Sequence, residues 1–273
     1  MKNKTRGLFI AAIILYLLII IFPFIWVMLT SIKPENEIWG PNALRPIASN
    51  PTFEHYQALF RAGILNNLKN SIIISSITTL YVTLISSFAA YAIARLKFYG
   101  KSILIFVILA TSMFPQMIVV GPIYRLFVDL GITNSYWITL PYSMISLPIA
   151  TFILINHFAK IPKEMEESAT MDGASQLTTF FKVILPLALP GIFTAAIMTF
   201  IGVWNEFLLS LTLNPDAAWR TAPVAISFLR GQFQIFWGQV TAATVIVTIP
   251  TLIIVLLFQK QIISGITSGA VKE

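Results

Sequence analysis

Apolar residues in this chain come in long charge-free runs, at 7–32, 70–94, 102–124, 130–156, 183–205 and 231–259. A helix needs roughly 20 apolar residues to cross a bilayer core, so each run predicts one transmembrane helix. The fold class expected is an all-α membrane protein of about six spans. The first run comes after Lys2, Lys4 and Arg6 as a signal peptide would. It exceeds the usual 7–15 apolar residues and lacks an A-x-A site, so it reads as a retained helix. Between the first two runs, 33–69 carries Pro34, Pro41, Pro46 and Pro51 and reads as an external loop. Its stretch "TFEHYQALF" predicts a short amphipathic helix. Prolines also sit within the runs: Pro23, Pro115, Pro122, Pro141, Pro148, Pro186, Pro190 and Pro250. Each removes a backbone donor and favours a kink, and together they suit a bundle around a cavity.

The pattern changes at 163–191. "KEMEESATM" places acids early, where they complement a helix N-terminus, and puts Met165, Ser168 and Ala169 on one face. Asp172-Gly173 is a turn signal, and Ser175 can cap a second helix. Leu177, Phe180, Phe181 and Ile184 then recur at helical spacing. The prediction is two short helices across a turn at the membrane surface. A lipid-bound hairpin would carry a Lys/Arg-rich polar face. Glu164, Glu166 and Glu167 favour a protein partner instead.

Composition agrees with lipid as the solvent. The chain has 273 residues, 57% hydrophobic and 11% charged, against about 25% charged for soluble domains. With both termini on one side, eleven of the Lys and Arg residues fall on that side and seven on the other. The positive-inside bias then puts both termini, and the 160–182 loop, in the cytoplasm. The net charge of +7 needs no nucleic acid to explain it. Cysteine is absent, which excludes disulfides, Fe–S clusters and thiol nucleophiles. His55 and His157 have no metal-ligand spacing. "YGKS" at 99–102 fails as a P-loop, because the first Gly of G-x-x-x-x-G-K-[ST] would fall on Arg95. Trp204-Asn205-Glu206 ends the fifth run. It reads either as an interfacial belt or as a polar lining of a pathway, since an intramembrane acid is a functional candidate.

These residues resemble a known family. The pattern E-A-A-x-x-x-G, nine residues, then I-x-L-P marks permease subunits of bacterial ABC importers. Here it reads Glu167-Ser168-Ala169, Gly173 and Val183-Ile184-Leu185-Pro186, with Ser for Ala and Val for Ile. "AAYAIARLKFYGK", "FPQMIVVGPIYRLFVDLGITNS", "WNEFLLSLTL", "TAPVAI" and the final "GITSGAVKE" resemble the carbohydrate branch, the MalG-like and trehalose-importer permeases. The resemblance spans nearly the whole chain.

It implies a single permease domain over 1–273 with the MetI-like type I fold, in a bacterial or archaeal plasma membrane. It implies import of a carbohydrate such as trehalose, maltose or a related glycoside. Glu166, Glu167, Ser168, Ala169, Met171, Asp172, Gly173 and Ala174 would form the coupling helix that fits a cytoplasmic ATPase. Gly269, Ala270, Val271 and Lys272 would reach between the ATPase subunits. The implied partners are a homologous second permease, two ATPase subunits and an external sugar-binding protein. The chain would bind no cofactor or metal and would not be an enzyme; ATP and Mg would sit on the ATPase. An ion-coupled secondary transporter is the alternative. It would carry membrane-buried acids, and only Glu206 approaches a run. A membrane enzyme would need clustered catalytic residues, which the sequence lacks.

Overall fold

A computed structural model describes residues 2–230 and 235–270, with side chains over 6–230 and 235–261. Its helices are α1 (Lys2–Thr30), α2 (Glu35–Trp39), α3 (Glu54–Arg61), α4 (Ile64–Arg95), α5 (Lys101–Ser112), α6 (Gln116–Asp129), α7 (Thr139–Lys160), α8 (Glu164–Met171), α9 (Gln176–Thr179), α10 (Leu185–Trp204), α11 (Leu208–Leu213), α12 (Ala222–Ser227) and α13 (Trp237–Ala270). Among the described residues the only extended pairing is one bridge, Arg230 to Ile235. Five helical stretches are long and apolar enough to span a membrane, and a sixth arises if α5 and α6 count together. The chain is a multi-pass membrane protein.

Three runs differ in detail from the sequence expectation. The third is two helices, α5 and α6, bent by 89°. Pro115 is the residue before α6, with ψ 122. It has no N–H to continue the ladder and disfavours helix in the residue before it. The fourth run starts late, because Gly131 and Asn134 both adopt positive φ and turn the chain first. The fifth starts early: α9 runs through a π turn at Phe180–Ile184 into α10. The second short helix of the predicted hairpin is therefore the beginning of the fifth span. Pro141 and Pro186 sit in first turns, while Pro23, Pro122, Pro148, Pro190 and Pro250 lie inside helices. In α13 the break falls at Phe258, not at Pro250.

The chain forms two compact units, residues 1–66 with 225–249 and residues 67–224 with 250–273. In the first, Leu59 and Ile64 pack with Ala242 and Ala243. Lys33 is buried despite its charge. Its ammonium donates to the Ala43 carbonyl at 3.0 Å and lies 4.8 Å from the centre of the Trp26 ring. His55 Nε2 meets the Lys33 carbonyl at 2.8 Å, and Gly238 leaves that imidazole room. The predicted helix in "TFEHYQALF" is α3, which buries His55 and Leu59.

In the second unit α10 packs along α7, and both meet α4 through Val82, Ala90, Leu154, Phe158, Phe180, Ile184 and Ala188. Lipid is as apolar as these side chains, so association rests on close packing and interhelical hydrogen bonds. Ala90, Ala150, Ala188 and Ala195 supply the first. Thr151 to Ser86, at 3.2 Å, and Tyr81 to the Thr139 carbonyl supply the second. On the edge of this unit the Asn67 and Asn70 amides hold the Arg220 carbonyl at 3.1 and 3.2 Å, and Ser71 accepts from Ala222 N–H at 2.8 Å.

The tightest approach is at Gly191, where a Cβ would lie 2.3 Å from His157 Cγ. Gly191→Ala should therefore separate α7 from α10 and cost about 1–3 kcal/mol, the usual range for overpacking. Gly121 faces open space, so Gly121→Ala should be neutral or stabilising. Melting temperatures of the detergent-purified variants check both; equal values would show that α7 and α10 tolerate the extra carbon.

Candidate functional site

The hairpin at 163–175 is built from local rules. Glu164, Glu166 and Glu167 occupy the first turn of α8, where their charges meet the positive helix end. The helix stops in a Schellman arrangement. Ala174 N–H donates to the Ala169 carbonyl at 2.9 Å and Gly173 N–H to Thr170 at 3.0 Å. This turn needs a left-handed residue, and Gly173 has φ 79. Ser175 then caps α9, accepting from Thr178 N–H at 3.3 Å.

Tertiary contacts decide which faces point where. Ala169 is buried, while Glu167, Ser168, Met171, Asp172 and Gly173 are exposed and Ala174 is half-buried. Met171 is 89% exposed and Leu177 65%. The predicted apolar face of the second helix is split. Phe180 and Ile184 enter the core, but Leu177 and Phe181 face outward. Phe180 and Ile184, four apart, pack with Leu154 and Phe158, while Leu177 and Phe181, also four apart, are left exposed.

Glu166 has a partner that sequence reasoning missed. Arg95, the last residue of α4, lies 3.1 Å from the Glu166 carboxylate through its Nε, and its Nη2 donates to the Ile161 carbonyl. The Arg95 side chain is 3% exposed and that of Glu166 23%. One guanidinium thus ties α4 to both the α7–α8 connection and the first turn of α8. Glu166 is an anchor of the hairpin, and Glu167 is its exposed rim acid. The available signal was a single Arg closing an otherwise charge-free run, with no indication of which acid it would meet.

The structure separates the three residues at the end of the fifth run. Trp204 is buried and stacked on Phe200, with centroids 5.8 Å apart. Asn205 is exposed and donates to the Ile201 carbonyl at 2.8 Å. Glu206 caps α11, its two oxygens accepting from Leu209 N–H at 2.9 Å and Ser210 N–H at 3.2 Å. Asn205 and Glu206, without Trp204, line a cavity of about 380 Å³ with Gln116, Tyr142, Ser146 and Thr199. Gln116 reaches it because the α5–α6 break places the start of α6 there. Of the predicted tail, Gly269 and Ala270 are described only as helix backbone; Val271 and Lys272 lie outside the described residues. No metal-binding cluster occurs among the described residues.

Comparison with known proteins places this geometry. The family described as "Binding-protein-dependent transport system inner membrane component" matches residues 82–268, from the middle of α4 nearly to the end of α13. The chain belongs to this family. As a binding-protein-dependent transport component, it is 40% identical over 272 residues to the "Trehalose/maltose transport system permease protein MalG" of Thermococcus litoralis, covering 98% of this chain and 97% of the relative. It is 38% identical over 272 residues to the "Sulfoquinovosyl glycerol transport system permease protein SmoH" of Agrobacterium fabrum, covering 97% and 93%. A chain of a bacterial ABC transporter involved in the import of the acidic polysaccharide alginate has the same fold. Its TM-score is 0.79 at 21% identity, over 95% of this chain and 97% of that one. The expected fold and family both hold, and the ion-coupled alternative falls away.

The Arg95 clamp is open to a direct check in this permease. Arg95→Ala strands a mostly buried carboxylate and should cost about 1–3 kcal/mol. Arg95→Lys keeps the charge but loses the second planar donor, so it should restore only part. Hydrogen–deuterium exchange over 161–175 should rise in Arg95→Ala and lie between in Arg95→Lys. Unchanged exchange in both would mean that the hairpin is held by its apolar contacts alone.

Proposed function

We propose that this chain is the permease half of an ABC importer that carries a carbohydrate across the plasma membrane. The observation that carries the reading is the α8–α9 hairpin. It is stiffened by the Schellman turn, anchored by Arg95, and exposes Glu167, Ser168, Met171 and Asp172 to a partner. The two relatives described above, named for a trehalose/maltose and a sulfoquinovosyl glycerol transport system, support the cargo class.

In this reading a separate ATPase binds the hairpin and carries ATP and Mg. The permease itself is not an enzyme and binds no cofactor. A second, homologous permease completes the pathway, and an external binding protein delivers the sugar. The C-terminal residues Gly269, Ala270, Val271 and Lys272 extend the ATPase contact. Because α9 continues into α10, force applied to the hairpin passes along one helical rod to Asn205 and Glu206 at its far end. Arg95 transmits the same movement to α4. Both termini and the 160–182 loop face the cytoplasm, and 33–69 faces outside.

Coupling can be read from ATP hydrolysis by the reconstituted importer, stimulated by sugar-loaded binding protein. Gly173→Val forces a β-branched residue into left-handed backbone, at a cost of at least about 1–2 kcal/mol. Glu167→Lys reverses charge on the exposed rim. Each should reduce stimulated hydrolysis and uptake together, with sugar binding by the external protein unchanged. Normal stimulation in both variants would remove the coupling role. For orientation, tags at both termini should be shielded in intact cells and a tag near Asn50 should be accessible. External labelling of the C-terminal tag would overturn this topology.

A further inference from the structure

The segment after α1 folds back against the helix it has just left. Lys33 comes three residues after the end of α1, yet its side chain is buried. Its ammonium lies 4.8 Å from the centre of the Trp26 ring and donates to the Ala43 carbonyl at 3.0 Å. One ammonium touches both groups, so the Ala43 carbonyl stands a single contact away from the face of Trp26. Trp26 is four residues before the end of α1, roughly 6 Å down its axis. Helical side chains lean further toward the N-terminus. Ala43 therefore lies level with the last turn of α1 and not beyond it. Among the candidate spans α1 has the most apolar window, and Trp26 falls near its end, where membrane helices keep interfacial aromatic rings.

Backbone contacts fix the segment there. Ala43 N–H donates to the Gly40 carbonyl and Arg45 N–H to that of Asn42, both at 3.0 Å. Ser49 N–H donates to the Glu37 carboxylate at 3.0 Å, and Thr52 N–H to the Ile32 carbonyl at 2.8 Å, which returns the chain to the end of α1. With the backbone so held, Leu44 is 84% exposed and Ile47 74%, and Arg45 is exposed between them. Isolated exposed apolar residues are ordinary. These two are held at the depth of an interfacial tryptophan, where the medium is the boundary of headgroups and acyl chains. Aliphatic side chains flanking an arginine suit that boundary, since alkyl groups enter the chains while a guanidinium stays with phosphate.

We infer that residues 40–47 form a membrane-surface anchor, with Leu44 and Ile47 inserted among lipid chains at the C-terminal end of α1 and Arg45 at headgroup level. Lys33 is its positioning residue, because its ammonium over Trp26 sets the depth of the turn. Nothing in this depends on what the importer carries.

The chain has no cysteine, so Leu44→Cys, Ile47→Cys and, as a control, Asn50→Cys can each carry one bimane label, in a complete importer whose other subunits are made cysteine-free. Asn50 is exposed and lies past the Ser49 contact. Each importer is placed in phosphatidylglycerol–phosphatidylcholine nanodiscs, with or without lipid carrying a nitroxide near the top of one acyl chain, and titrated with iodide. Nanodiscs leave both membrane faces open to iodide, so the result does not depend on orientation. Nitroxide quenching at 44 and 47 should be about threefold that at 50, as for groups buried in the headgroup–acyl boundary. Iodide quenching should be strongest at 50. Lys33→Met should shift the label at 44 from lipid quenching to iodide quenching. Should that variant not assemble, Trp26→Leu removes the ring under the ammonium, keeps the position apolar, and should act in the same direction.

Iodide quenching at 44 and 47 as strong as at 50 overturns the anchor. Protection of 44 and 47 from both quenchers would mean that a protein surface covers the turn, and overturns it equally. Lipid quenching at 44 unchanged in Lys33→Met, or in Trp26→Leu if that variant alone assembles, overturns the positioning role of Lys33.

Discussion

Arg95 has a side chain 3% exposed to solvent, so its charge has left water and must be balanced by protein, here by one hydrogen bond from Nη2 and one ion pair at Nε. A guanidinium in that position is stable only where fixed partners surround it. Two are present: the carbonyl of Ile161, at the end of α7, and the carboxylate of Glu166, in the first turn of α8. Neither lies on the helix that carries Arg95. The hairpin therefore cannot drift independently of α4 and α7 without exposing an unpaired charge. Its exposed rim can be small and soft, with Met171, Ser168 and Glu167, because stiffness is supplied from behind.

The same economy governs the interior. The runs that span the membrane contain almost no charge, and the polar side chains between helices are hydroxyls and amides whose partners are mostly backbone. Thr194 illustrates this: its hydroxyl donates to the Pro190 carbonyl at 2.9 Å, or equally to that of Gln261 at 2.8 Å. Pro190 and Gly191 together open the side of α10 that faces His157. Proline loosens a helix and glycine lets a neighbour approach, so the pair makes close packing where lipid offers no hydrophobic drive. Tyr142 is buried at the same cavity as Glu206, the acid whose carboxylate caps α11.

Much of this was legible from local sequence. Twenty or more consecutive apolar residues have only one good solution in lipid, so the spans were readable from their length. Asp172-Gly173 and Ser175 act through backbone groups within a turn of themselves, so the turn and the cap that follows it were readable too. Local reasoning erred where an element's state depends on a distant neighbour. The third run looks as continuous as the others, yet Pro115 breaks it, while Pro122, Pro148 and Pro250 remain within helices. Each proline has the same local chemistry. Each removes one backbone donor, so a proline by itself does not say which run will break.

The sites divide in the same way. Sequence determined that an acidic, glycine-turned hairpin comes after the fourth span and that one intramembrane acid, Glu206, comes after the fifth, because residue type and spacing are local properties. Tertiary structure alone decided that Glu166 faces inward to Arg95 while Glu167 stays exposed. It alone placed Phe180 in the core with Phe181 outside, and buried Trp204 while Glu206 reached the cavity with Gln116 and Tyr142. Each of those outcomes depends on which helix lies opposite, and helical periodicity assigns a residue to a face without saying what that face meets.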